Sequence, residues 1–524
     1  MNHNSKLLLC LEWLALIVIL CLAGYVRILN QGTYPGLYND EGTQINIAMN
    51  YLRGQTEYLG IRGSLLLAMR MPIFPFLLSI LFRIFGVSLE VVRSFSAALG
   101  LLTIALLYVC GKSIFGAKGA AVGLLAALAL AISPKVVMFN RLGISYNLLA
   151  PLVLLHFWGL CKYWQSHKRS WLVLAALAMG LGWLVDLVAF TLLPAFVVLA
   201  VWWKRPRRWL ELVLAGLPFA LYAVVSLISA PSAFLFDLGF AFQRTSESAF
   251  LEQIIQLIMN FGVLILQDPW FLLGLAGLFL IRPLPVRWIA LLVFLPPAML
   301  IARAASLRIG FYYLVPWMPI LSIGLGMFIL QAAAAIHQTF QPKIEELAGR
   351  LKWAPAARVR QFGVALVTAG VFFLLVMAPI LMSVGFLYIQ VSTQAPHQVA
   401  NYFDEIPEAR QVQSYIHQHI RADEVVLASP ALAWMLDGRP SDYQIALAAG
   451  GQPTLHLPSI PAGRLAFALG FETARYIIVD AIWVDWAEIA MPELMDIRLQ
   501  LEASGHKVLQ AGRFSVYENP APAP

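Results

Sequence analysis

The sequence predicts a polytopic α-helical membrane protein that ends in a small α/β domain. Three observations carry this. Of the 524 residues, 60% are hydrophobic and 12% are charged, whereas a soluble globular chain is about half apolar and a quarter charged. Apolar runs of about twenty residues, the length that crosses a bilayer core, recur along residues 1–390. From residue 391 onward the pattern changes to short β-branched runs and an amphipathic helix.

The elements follow in order. Residues 7–29 are too long for a signal-peptide core and lack a small-residue exit, so they form a retained first span. With Lys6 inside, residues 30–91 make the first outer loop. Within it, 72–86 (PIFPFLLSILFRIFG) is apolar but short for a crossing and carries Pro72, Pro75 and Arg83. It reads as a helix lying in the outer interface. Spans 92–111, 119–139 and 145–164 come next. The run 171–203 is too long for one span and reads as two, turning near Asp186. Spans 209–230, 258–281, 286–302, 311–335 and 362–390 complete eleven. This register places Lys112, Lys118, Lys168, Arg169 and the cluster 204–208 on the inner face, as the positive-inside bias requires. A full crossing at 72–86 would turn all of them outward.

Two domains result: 1–390, the transmembrane domain with its first outer loop 30–91, and 391–524, an extracytoplasmic α/β domain large enough to bury its own core. There a helix is expected at about 408–420, strands in VVLAS, RYIIVDAIWV and KVLQAGRFSVYEN, and a helix in LMDIRLQLEAS. The net charge of +8 is accounted for by basic loops on one membrane face, so nucleic acid is not an expected partner. Cys10, Cys21, Cys110 and Cys161 all fall in or beside apolar runs and show no metal or disulfide spacing.

Chemistry concentrates in the first outer loop. "YNDEGTQINIAMNYLRG" sets Asp40 and Glu41 side by side just past span 1, at the start of a short amphipathic helix expected at the membrane interface. Two readings of Asp40 stand: a helix cap, or a carboxylate presented to substrates at the membrane face.

The order of these features resembles the GT-C glycosyltransferases, in particular the protein O-mannosyltransferase and lipid A aminoarabinose transferase group (glycosyltransferase family 39 and its bacterial kin). The shared pattern is Asp40–Glu41 opening the first outer loop, a Pro-led helix from Pro72 and Pro75 to Phe85–Gly86, and then Arg93. The resemblance covers residues 7–335. It implies a hexosyl- or pentosyltransferase of the plasma (inner) membrane. Its donor would be a polyprenyl-phosphate-linked sugar, and its acceptor a protein, glycolipid or polysaccharide on the outer face. Asp40 would be the general base with Glu41 beside it. A leaving phosphate calls for arginines; Arg62, Arg70, Arg93, Arg303 and Arg308 are available, and Arg141 is a further candidate. Arg303 and Arg308 precede Tyr313, Pro316 and Pro319, which fit the family's Y-x-x-P-x-x-P at the start of a late span. Each arginine also has a plainer reading as an interfacial anchor.

Many relatives carry a second acid in the next outer loop. Here that loop, FNRLGISYNLL, has none; Tyr146 or Asn147 stands there. No cofactor is expected, and a divalent metal is disfavoured, although Asp40 and Glu41 could hold one weakly. Asp186, at a turn, and Asp237, in an outer loop, read as structural or solvated. Competing readings are a lipid or polysaccharide transporter, which should show paired halves around broken helices, and a non-catalytic scaffold of the same fold.

Overall fold

The computed structural model describes residues 3–519 apart from 64–69, 203–208, 302–311, 351–362, 393–402, 455 and parts of 244–268 and 364–377. The chain is a stack of apolar helices topped by a mixed sheet. Helix α1 (His3–Ile28) leads to a loop containing α2 (Asn39–Leu52), the two-residue strands β1 (Glu57–Tyr58) and β2 (Ile61–Arg62), and α3 (Ile73–Phe85). The membrane helices continue as α4 (Leu89–Ile114), α5 (Gly119–Ile132), α6 (Pro134–Asn140), α7 (Tyr146–Ser166), α8 (Arg169–Trp183), α9 (Leu193–Trp202), α10 (Trp209–Ser229), α11 (Pro231–Gln243), α12 (Pro269–Leu280), α13 (Leu284–Ile301), α14 (Met318–Arg350) and α15 (Ala378–Ser392).

Four helices among the described residues are long and apolar enough to cross a membrane: Lys6–Ile28, Leu89–Ile114, Leu210–Ser229 and Tyr312–Thr339. A fifth span is possible where α5 and α6 meet at a 69° bend. The sequence expectation of an unbroken span over 119–139 gives way there because Pro134 has no N–H to continue the ladder and Ser133 is extended. The described residues do not confirm the expected count of eleven spans, and parts of the expected spans 258–281 and 362–390 lie outside them. The break inside 171–203 does lie where expected: α8 ends at Trp183 and a 3-10 helix begins at Leu187. Helix α3, at 13 residues, reaches only about 20 Å at 1.5 Å per residue, short of a bilayer core.

The C-terminal unit contains α16 (Ile406–His419), β3 (Val425–Ala428), β4 (Arg439–Asp442), α17 (Tyr443–Ala449), β5 (Ala474–Val479), α18 (Glu493–Ser504), β6 (Lys507–Ala511) and β7 (Phe514–Glu518). Each expected segment of this region appears. The strand order is β4-β3-β5-β7-β6; β3 runs parallel to β4 and β5, and β5–β7 and β7–β6 are antiparallel.

Helix α2 is not an exposed interfacial helix. Glu41 through Ala48 are all buried, and one apolar core joins Ile45 and Ile47 of α2 to Phe74 and Leu78 of α3, Val92 of α4 and Val426 and Leu427 of β3. The sheet domain thus caps the first loop. Glycine makes this possible: a Cβ on Gly42 would lie 2.0 Å from the Pro430 carbonyl oxygen, and one on Gly36 would lie 2.2 Å from that of Asp404. Leu37 and Asp404 exchange backbone hydrogen bonds of 2.7 and 3.3 Å. Ala431 N donates to Asn39 Oδ1 at 3.2 Å. The surface periodicity of α2 could not show this second cover, because its partner lies hundreds of residues downstream.

Candidate active site

Asp40 stands in the first turn of α2, where the helix dipole favours a negative charge. It is not the cap: Tyr38 holds that position and makes no side-chain cap bond. The Asp40 oxygens go elsewhere. Arg70 Nη2 donates to Oδ1 as an ion pair, and the Tyr312 hydroxyl donates to Oδ2 at 2.7 Å. The Asp40 side chain remains 26% exposed, so the carboxylate is held in place yet reachable. Burial is the largest single influence on Arg70 and opposes its charge, but Asp40, Tyr312, Asp186 and Tyr58 together outweigh it and hold the guanidinium above its ordinary value.

An aromatic wall stands beside this pair. The Tyr312 ring lies 4.5 Å from that of Tyr146 and 5.5 Å from Phe139, and Tyr313 lies 6.3 Å from Tyr146. Tyr312 went unnoticed in the sequence; the only signal was its place beside Tyr313 in the late-span motif.

Glu41 has a different task from its neighbour. It is buried, pairs with Arg93 through Nη2 at 2.8 Å and Nε at 3.2 Å, and accepts from Gly143 N at 2.7 Å. Arg93 is fully buried and also donates to the carbonyls of Gln31, Pro35 and Gly36. Arg141 is fully buried too and donates to the carbonyls of Val26, Leu29 and Tyr34. The expectation that Arg93 and Arg141 face a lipid phosphate is corrected here: their donors fasten the first loop to α1 and α4. Asn147 likewise holds the carbonyls of Phe139 and Leu142 and bonds Asn140, and so does not replace a second acid in the site. Arg303 and Arg308 lie outside the described residues.

Asp237, expected in a solvated loop, is buried and takes a two-pronged bond from Arg464 at 2.8 and 3.2 Å, tying α11 to the sheet domain. Among the described residues, no group of three or more His, Cys, Asp or Glu converges as a metal site would require.

A family model described as dolichyl-phosphate-mannose-protein mannosyltransferase matches residues 70–234. A search of curated protein sequences finds no significant match. Among solved structures, ArnT from Cupriavidus metallidurans bound to undecaprenyl phosphate is similar over 100% of both chains, at 15% identity and a TM-score of 0.61. The oligosaccharyltransferase AglB from Archaeoglobus fulgidus, in complex with an inhibitory peptide and a dolichol-phosphate, is similar over 100% of this chain and 75% of its own, at 15% identity and a TM-score of 0.55. Both are GT-C glycosyltransferases. The resemblance drawn from the sequence therefore holds at the level of fold: this chain has the GT-C architecture.

Proposed function

We propose that this GT-C-fold protein is an integral-membrane glycosyltransferase that moves a sugar from a polyprenyl-phosphate carrier to an acceptor on the outer membrane face. One observation carries the reading most: a carboxylate, Asp40, is aimed by a tyrosine and an arginine at the junction of membrane helices and the capping domain. A solved structure of like fold holds undecaprenyl phosphate, which supports a lipid-phosphate donor.

The chemistry is a displacement. An acceptor hydroxyl or amine gives its proton to Asp40 as its oxygen or nitrogen bonds the anomeric carbon. The bond from that carbon to the phosphate oxygen breaks, and the electron pair leaves on the lipid phosphate. Arg70 is the cation already at the site, and its fork suits a phosphate as well as a carboxylate. Among the described arginines it is the one paired with Asp40; Arg303, Arg308 and Tyr313 are the further donor-side candidates. Glu41 acts indirectly, by fixing the start of α2 through Arg93. The reading places the amino terminus in the cytoplasm and the sheet domain outside a plasma membrane.

Replacing Asp40 by Asn tests it. Transfer of sugar from a total polyprenyl-lipid extract should fall by at least about a thousandfold, as for loss of a positioned base together with its charge. Binding of undecaprenyl phosphate should persist. An unchanged product profile would favour a transporter or a scaffold.

A further inference from the structure

The loop after α8 is stitched to the segment that carries Arg70. Ile73 N donates to the Leu184 carbonyl at 3.1 Å. Met71, 1% exposed, packs with Phe234, Leu184 and Leu187. In that loop Asp186 accepts from Val188 N at 3.0 Å and from Ser145 Oγ at 3.2 Å. Ser145 adjoins Tyr146, whose ring lies against Tyr312. Asp186 is thus held from two sides; Arg70 and Asp40 are the charged groups within its electrostatic reach, and Tyr146 is a titratable group that feels its charge.

We propose that Asp186 is a positioning residue for Arg70, a second carboxylate that sets how readily the guanidinium leaves Asp40 for an anion. The first loop and the loop after α6 contribute no such group; it comes from the turn after α8. With Asp186 ionised, Arg70, paired to Asp40, also feels the field of a second carboxylate from the neighbouring loop, and an incoming phosphate meets that added negative charge. With Asp186 neutral, that field is gone, and the phosphate meets less like charge. The geometry gives this role to Asp186 alone among the described carboxylates near Arg70, since Glu41 is committed to Arg93 and Gly143.

The protonation of Asp186 falls in an accessible range. Burial pushes its carboxyl up to about 6, against the opposing pull of the Val188 N–H, Arg70 and Ser145. The group is then charged at pH 8 and mostly neutral at pH 5.

The inference rests on Arg70 as the group that meets the phosphate, and the test separates the two. The full-length protein in detergent is titrated with undecaprenyl phosphate at pH 8 and pH 5, as wild type, Asp186→Asn, Asp186→Glu and Arg70→Ala. At pH 8, Asp186→Asn should bind about threefold more tightly, the effect of removing one like charge several ångströms away in a well-screened site. At pH 5 that ratio should return to about one, because a protonated Asp186 and an asparagine carry the same charge. Comparing the two proteins at each pH cancels the titration of the lipid phosphate itself. Asp186→Glu should follow the wild type. Asparagine keeps the bond from Val188 N through its single oxygen, and its Nδ2 donates to Ser145 Oγ in place of the bond that Asp186 accepts; a melting curve on each variant identifies misfolding. A ratio that stays constant between the two pH values, or weaker binding at both with normal melting, overturns the role of Asp186. Arg70→Ala should weaken binding at both pH values. If it binds as the wild type does, the phosphate role of Arg70 fails and this inference with it.

Discussion

The hydroxyl of Tyr312 donates to Asp40 Oδ2 at 2.7 Å across 272 residues of chain, so the opening of a late membrane helix aims a carboxylate that belongs to the first loop. Arg70 holds the other oxygen. The carboxylate is fixed by two groups from two different parts of the fold before any substrate arrives.

Tyr312→Phe removes that donor and keeps the ring against Tyr146. A lost hydrogen bond to a charged group is worth about 1.5–3 kcal/mol. If half of it acts on the aim of Asp40, sugar transfer should fall roughly fourfold to twelvefold. Donor affinity should change little, since the ring remains. A steady-state comparison of kcat with KM would show this split; equal loss in both would mean that Tyr312 contacts the donor directly.

Glu41→Ala leaves the guanidinium of Arg93 buried without a counter-charge. Both side chains are at most 1% exposed. Breaking such a pair from one side costs about 3–5 kcal/mol, and the start of α2 should loosen. By contrast, Arg62→Ala breaks the outlying pair with Glu57, where Arg62 is 61% exposed, and should cost about 1 kcal/mol or less. The fraction of monodisperse protein left after heating, measured by size-exclusion chromatography, ranks the two.

The capping domain should be more stable in mild acid than in base. Asp404 and Asp480 are buried side by side; burial, and for Asp404 the neighbouring carboxylate, raise both above the ordinary range. Burial pushes Asp442 up to about 7. A carboxyl with a higher value folded than unfolded keeps its proton better in the fold. Its contribution is fully present below about pH 4, the unfolded value, and is lost as pH rises through the folded value. Between pH 5 and pH 8 the melting temperature of the sheet domain, followed by near-ultraviolet dichroism, should fall by several degrees. Asp442→Asn should flatten the upper part of that decline, up to about pH 7. A melting temperature that rises over the interval would contradict the assignment.

Sugar transfer should survive a chelator. A hard cation at Asp40 would have to displace Arg70, and one at Glu41 would have to displace Arg93 and the Gly143 amide. Full loss of activity with EDTA and its recovery with magnesium or manganese would show that these carboxylates exchange their partners for a metal.

Much of this protein is legible from local pattern. Bilayer-length apolar runs announce membrane helices because hydrocarbon admits only backbone that satisfies itself. The period-two and helical runs after residue 405 mark the sheet domain for the same kind of reason: each reports which face of one element is buried. The pair Asp40–Glu41 stood out because charge is scarce. Yet the sequence could not separate these two neighbours, and the fold divides them sharply, one turned to the open site and one into the core beside Arg93. Nor could local pattern show that Arg93 and Arg141 are buried fasteners while Arg70 reaches Asp40, or that Gly42 lets the capping domain cover α2. An arginine reads the same in a sequence whether its donors meet carbonyls, a carboxylate or water. Which of these it meets depends on chain brought together from distant positions, and that is settled only when the helices and the sheet pack.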